Sequence, residues 1–299
     1  MCSMKFRVAK VLFAQAWLVG LSAGVGHCWA NTADSINLTG WNANVIYQSN
    51  YPNEVVQGFD AEGNGSYSWV EEGTYGGNVV YNGLPPDQIV NSALTDPCTG
   101  TNTQFQLQHY NGNNELKLGS PAVSGQTLTL STPAGYDNLA ILAASGNIGG
   151  DCTSTFTLTF SDGSTSRPIT YDPYDWGGGT SQKVFAEGLV RSPSGTEPAS
   201  SPQSISSASY NMYETDIDLT ALTSSDGALD SAKYIQSITF AEPSSGRIGV
   251  FAVSGVQNTS AADPLPEPST VSLMAVAAVP LLLRRPAERW ARRCHKATG

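Results

Sequence analysis

The sequence predicts an all-β fold, a sandwich or a barrel. Three observations predict it. Short stretches that alternate apolar and polar residues recur along the chain, the clearest being Thr155–Phe160, with Phe156, Leu158 and Phe160 on one face and three threonines on the other. Gly, Asn and Asp punctuate the intervals between them. No segment carries a convincing apolar period of a helix.

Taken in order, Asn37–Gln48 opens the body as a first strand, with Leu38, Trp41, Val45, Ile46 and Tyr47. Gly58-Phe59-Asp60 and Ser66–Val70 follow, punctuated by Gly63, Gly65 and Gly73, and Gly83-Leu84-Pro85-Pro86 is a loop. Gln104–His109 alternates Phe105 and Leu107 with Gln, as a half-buried strand does. Asn111–Asn114 is a turn and Glu115–Leu118 begins the next strand. Thr127–Ser131 alternates Leu128 and Leu130 with Thr. Asn138–Ala144 is a more continuous apolar run, which marks a central strand. After Thr155–Phe160, Asp162-Gly163 makes a hairpin turn and Arg167–Tyr171 returns. Arg191–Ser209 is rich in Ser and Pro and reads as a surface loop within the domain. Lys233–Phe240 and Arg247–Val256 supply the last strands, and residues 257–265 read as a linker.

Both ends of the chain read as targeting segments. Lys5, Arg7 and Lys10 form a positive n-region, Val11–Val25 an apolar h-region, and Cys28-Trp29-Ala30 places small residues where a signal peptidase reads, so cleavage is expected after Ala30. Lipidation at Cys28 fits less well, because His27 precedes it. The tail reads Pro266-Glu267-Pro268, then the apolar run Ser269–Leu283, then Arg284-Arg285, with Arg289, Arg292 and Arg293 behind. This tail resembles the PEP-CTERM sorting signal: the motif, one membrane-crossing segment and an Arg-rich end, in that order. The resemblance implies an exosortase-type membrane protease as partner, transient anchoring in the inner membrane, and cargo for the cell surface or exopolysaccharide matrix. The uncharged window between Glu267 and Arg284 is 16 residues, and Pro280 interrupts it. A helix of that length spans ~24 Å against a ~30 Å hydrocarbon core. Arg284 and Arg285 can snorkel to the headgroups and lower the requirement. A retained C-terminal anchor is the competing reading, and in both the arginines stay cytoplasmic.

Composition narrows the function classes. Between Asn31 and Leu265 there are 23 Asp and Glu against 6 Lys and Arg, a net charge of −17; the whole-chain value of −10 hides this because the targeting ends are basic. Such a body repels nucleic acid and anionic lipid, so neither is an expected partner and the membrane is touched only by leader and tail. Cys98 and Cys152 are the cysteines left between the two ends, and export to an oxidising compartment predicts a disulfide between them. His109 is the one histidine left there. With nothing local to orient it, it reads as a residue of the polar face, which leaves a Ser-His-Asp triad or a zinc site without its parts.

A second resemblance rests on Tyr136–Leu142, Thr155–Gly163, Asp175-Trp176 and Phe251–Gly255, which look like galactose-binding-like jelly rolls. It implies a two-sheet antiparallel jelly-roll-like sandwich over residues 31–256, with ligands on loops at one end and, often, a structural calcium. Asp60, Glu62, Asn64, Asp151, Asp162, Asp172 and Asp175 offer turn oxygens for calcium, although Asp and Asn beside Gly are usually plain turns. No other cofactor and no catalytic metal is expected. Asp172-Pro173-Tyr174-Asp175-Trp176, followed by three glycines, sets two carboxylates beside two aromatics on a loop. Aromatic faces stack on pyranose rings while carboxylates and amides bind hydroxyls, so Asp172, Tyr174, Asp175 and Trp176 are the candidate ligand residues. Trp41, Asn42, Asp60, Trp69 and Tyr171 are of the right types to join them. The competing reading makes Trp176 a cap on the sandwich, with Asp175 accepting a turn amide. A glycosidase needs two carboxylates on opposite faces of a sugar, which one loop rarely supplies. The expectation is therefore a non-enzymatic, polysaccharide-binding surface protein, with a glycan hydrolase and a purely structural or adhesive protein as alternatives.

Overall fold

The computed structural model describes residues 33–48, 56–61, 66–75, 79–86, 89–95, 102–119, 126–148, 153–178, 183–194 and 210–261. The leader, the Pro266–Arg285 signal, Cys98 and Cys152 lie outside the described residues. Among the described residues no helix is long and apolar enough to cross a membrane.

The chain is all-β. Its strands are β1 (Asp34–Ser35), β2 (Leu38–Thr39), β3 (Ile46–Tyr47), β4 (Tyr67–Val70), β5 (Gly73–Tyr75), β6 (Val79–Tyr81), β7 (Ile89–Thr95), β8 (Asn102–Gln106) and β9 (Leu116–Leu118). There follow β10 (Gln126–Ala134), β11 (Tyr136–Gly146), β12 (Ser154–Phe160), β13 (Ile169–Tyr171), β14 (Val184–Leu189) and β15 (Arg191–Pro193). The last are β16 (Tyr210–Asp218), β17 (Ile235–Phe240) and β18 (Arg247–Gln257), with a 3-10 turn at Asp230–Ala232 before β17.

Two antiparallel sheets form the sandwich. One runs β1-β18-β11-β16-β14, with β9 also pairing β18; the other runs β13-β12-β17-β10-β2. Chain neighbours β10 and β11, β11 and β12, β16 and β17, and β17 and β18 each change sheet, so the two layers are built together. Between them, Leu139, Ile141 and Ala143 of β11 meet Phe156, Leu158 and Phe160 of β12, with Ile238, Phe240, Ile248 and Val250. The alternation in Thr155–Phe160 is therefore one face in the core and one toward solvent.

The first sheet is covered on its other face as well. Ala140, Leu142 and Ala144 of β11, Phe251 of β18 and Met212 of β16 lie under Ile46, Trp69, Phe105 and Leu107. Those residues come from an outer layer made by the β3-β4-β15 sheet and the β7-β8 hairpin. In it β3 and β4 are parallel and the other pairs antiparallel. Burial on both faces is why β11 reads as an apolar run instead of an alternation.

Several expected elements differ in extent. Asn37–Gln48 is not one strand: β2, an isolated bridge at Ala43 and β3 replace it. Gly40 has φ 111° and its Cα packs against the Thr127 carbonyl, which breaks the strand. Asn42 then pairs through its side chain, donating to the Lys117 carbonyl at 3.1 Å and accepting from the Lys117 N–H at 2.7 Å. Arg167–Tyr171 pairs only over Ile169–Tyr171, beyond Pro168, which has no N–H to give. The Asp162-Gly163 turn forms as expected, with Gly163 at φ 81° and Ser164 N–H donating to Asp162 Oδ1 at 2.9 Å. Arg191–Pro193, expected in a loop, is strand β15 against β4, while residues 195–209 lie outside the described residues. The packed body also runs past Gln257: Asn258 N–H donates to the Gly135 carbonyl at 2.9 Å, and Ala261 is buried.

Candidate functional site

The Asp172–Trp176 segment leaves β13 and is stitched to the first sheet as a short extra strand. Ser145 N–H donates to the Tyr174 carbonyl, Trp176 N–H to the Ser145 carbonyl and Asn211 N–H to the Trp176 carbonyl, each at 2.8 Å. Asp175 accepts the Gly177 N–H at 2.9 Å through Oδ1 and the Ile148 N–H at 3.4 Å through Oδ2. Its carboxylate thus shapes the turn, in the manner of the competing reading. The Tyr213 hydroxyl donates to the Asp175 carbonyl at 3.1 Å, and the Tyr174 ring lies 5.5 Å from the Tyr213 ring. Asp172, Tyr174 and Asp175 are half-buried.

Trp176 is core. It is 3% exposed, and its ring lies 4.7 Å from Phe59, 4.9 Å from Trp69 and 4.7 Å from Tyr210. Trp69 and Tyr171 are buried too, and Trp41, half-buried, donates from its indole N–H to the Leu38 carbonyl at 3.1 Å. Trp69 and Trp176 are thus packed under the outer layer, while Tyr171 lies in the core between the two main sheets with Trp41 against it. A side chain at Gly249 would run into the Glu115 carboxyl and the Phe59 ring, and one at Gly146 into Asp60 and the edge of Phe59. Those two glycines make room for the ring.

At the rim of this cluster sits Arg191, which the sequence did not single out. Its guanidinium carbon is 3.7 Å from the Tyr67 ring centroid, 4.5 Å from Tyr210 and 5.4 Å from Trp176. Asp60 stands 4.0 Å away and accepts the Tyr67 N–H at 2.7 Å. Burial pushes the Asp60 carboxyl above its ordinary range, against the opposing pull of the Tyr67 N–H and Arg191.

Two carboxyls elsewhere are held away from water. Glu115 is fully buried between Gly249 and the outer layer, with no hydrogen bond to either oxygen among the described residues. Desolvation pushes it up to about 8, although Lys117 and Arg247 oppose the shift. Asp230, buried in the 3-10 turn, is pushed up to about 6 by desolvation first; Lys233 opposes the shift and Asp226 adds to it.

Open space lies at the other end of β11, where Tyr136 stands. Two clefts share Ser35 and Asn37. One, of about 260 Å³, is lined further by Ser131, Thr132, Tyr136 and Gln257. The other, of about 370 Å³, adds Gln106, Gln108 and the exposed His109. Asp34 lines only the smaller cleft. Among the described residues no group of three or more His, Cys, Asp or Glu is placed to hold a metal ion. For calcium, Glu62, Asn64 and Asp151 lie outside the described residues. No family model, no curated protein and no solved structure matches this chain.

Proposed function

We propose that this chain is an exported, non-enzymatic protein of the cell surface or exopolysaccharide matrix, a jelly-roll-like sandwich that binds polysaccharide. Export and sorting rest on the leader and on Pro266-Glu267-Pro268, the apolar run and Arg284-Arg285, with an exosortase-type protease as processing partner. The observation that carries the binding is the pair of adjoining clefts. Their walls present amides and hydroxyls, which both donate and accept and so match sugar hydroxyls. Burial of Trp176 moves the binding reading from the Asp172–Trp176 loop to these clefts.

Affinity-gel retardation on neutral and acidic polysaccharides tests the reading. The double variant Asn37→Ala, Gln108→Ala should lose retardation at least several-fold with an unchanged circular dichroism spectrum. Asn37 is exposed and Gln108 half-buried, so neither replacement empties the core. Equal retardation of variant and parent, or none for the parent, sinks the binding reading.

A further inference from the structure

We propose that Arg191 is a receptor for the carboxylate of an acidic sugar, a uronate in a polysaccharide. The inference rests on the reading of the protein as a polysaccharide binder and adds a second, chemically distinct site to it.

Six Lys and Arg lie between Asn31 and Leu265. Three are committed to protein acceptors. Lys117 is buried and donates to the Gly58 carbonyl at 2.6 Å. Lys183 pairs with Glu214 at 2.8 Å and Asp216 at 2.9 Å. Lys233 pairs with Asp162 at 2.9 Å and with Asp226. Arg247 acts on the buried Glu115. Arg167 is exposed, and no aromatic ring is recorded against it among the described residues.

Arg191 faces Asp60 at 4.0 Å and is set apart from the other five by the rings around its guanidinium. Its side chain is 26% exposed, and two tyrosine rings hold the guanidinium in place. Among the described residues it donates no hydrogen bond, and the nearest carboxylate oxygen stands at 4.0 Å, beyond bonding range. A guanidinium carries five N–H donors in a planar fork that fits a carboxylate through two parallel bonds. Stacking on Tyr67 and Tyr210 fixes the plane of that fork before any ligand arrives, which lowers the entropy lost on binding. Strand pairing fixes its root, because Arg191 sits opposite Trp69 in the β15-β4 register. Of the rings beside it Tyr210 and Trp176 are buried, and the half-buried Tyr67 is the one that reaches solvent.

The body charge makes the proposal discriminating. Residues 31–265 carry a net charge of −17 and the full chain −10, so the body repels a polyanion at long range, an effect screened beyond about 8 Å at physiological ionic strength. Without a local receptor, an acidic oligosaccharide should bind worse than its neutral derivative. A preference for the acid form therefore requires a local cation, and since the ends of the chain are basic, the variants at Arg191 decide whether Arg191 is that cation.

The test is calorimetric titration of the full-length chain with oligogalacturonate and with the same oligomer fully methyl-esterified. The acid form should bind about tenfold more tightly, the worth of one charge-assisted pair at a partly exposed site. Arg191→Gln should remove that preference, Arg191→Lys should keep part of it, and Arg167→Gln should leave it unchanged. Asp60→Asn should raise affinity for the acid form, since it removes a neighbouring charge while an amide oxygen can still accept the Tyr67 N–H. If Arg191→Gln does not fold, the loss of part of the acid-to-ester ratio in the Arg191→Lys variant still decides. Equal binding of both forms, or tighter binding of the ester, overturns the uronate site and leaves polysaccharide binding standing. Binding of neither form overturns both.

Discussion

Replacing Trp176 by alanine should destabilise the domain, and the size of the loss decides what the Asp172–Trp176 segment is for. The side chain is 3% exposed and packs on Phe59, Trp69 and Tyr210 at ring separations of 4.7, 4.9 and 4.7 Å. A buried Trp removes roughly 150–250 Å² from water, worth ~4–6 kcal/mol at ~25 cal/mol per Å². Alanine keeps a fraction of that, and the surroundings relax only in part, so a loss of ~3–5 kcal/mol is expected. For a domain of this size each kcal/mol lowers Tm by ~2–4 °C, giving a fall of ~6–20 °C. Domains hold only ~5–15 kcal/mol in total, so the variant should be folded but marginal. Thermal melts followed by near-ultraviolet circular dichroism measure this directly. Trp176→Phe, which keeps an aromatic ring in the cluster, should lose less than half as much. A loss below ~1 kcal/mol, together with loss of glycan retardation, would show Trp176 acting as an exposed platform and refute the core assignment.

Stability should fall as pH rises from the ordinary carboxylate range toward about 8. Glu115 holds its proton to higher pH in the folded chain than in the unfolded one, so the folded state binds more protons in that window. At ~1.4 kcal/mol per unit the ceiling is ~5 kcal/mol. Glu115→Gln should flatten the decline in urea midpoints between pH 5 and 9, and an unchanged slope would show that Glu115 ionises freely. Cys98 and Cys152 should form a disulfide closing 55 residues, worth ~4 kcal/mol in the chain-entropy model. Two free thiols titrated in denatured, non-reduced protein lacking both ends would exclude it. In a host with an exosortase, the intact mass of the surface form should lack the residues after about Pro268. Full-length protein still carrying Arg293 in the membrane would support a retained anchor instead.

Strands whose burial is one-sided were legible in the sequence. β12 shows its alternation because one face meets the core and the other meets water. β11 was legible as central for the complementary reason, both of its faces being covered. β16 escaped because its pattern is masked by charge. Tyr210 and Met212 face the outer layer, and so does Glu214, whose buried carboxylate accepts from Lys183 at 2.8 Å and Thr103 at 2.6 Å. A glutamate within a run of inward positions looks like an exposed residue until its partners, 31 and 111 positions away, are known. β4 and β15 are short and pair across a long separation, with Ser192 against Ser68, and no local pattern encodes that register.

The candidate site illustrates the same limit from the side of chemistry. Tyr174-Asp175-Trp176 before three glycines has the composition of a ligand loop, and composition cannot say which side of a ring meets water. That is decided by the outer layer, whose strands come from residues 46–106 and 191–193. Once Trp69 and Phe59 close over Trp176, the aromatic face is spent on packing. What stays open to solvent is the rim where Arg191 rests on Tyr67 and Tyr210. No spacing rule joins Asp60, Tyr67, Arg191 and Tyr210. They converge because β4 pairs with β15 while Tyr210 begins β16 beneath them. A stacked guanidinium on an acidic body is thus a property of the assembled layers, and its selectivity between a uronate and its ester reads those layers more directly than any deletion in the core.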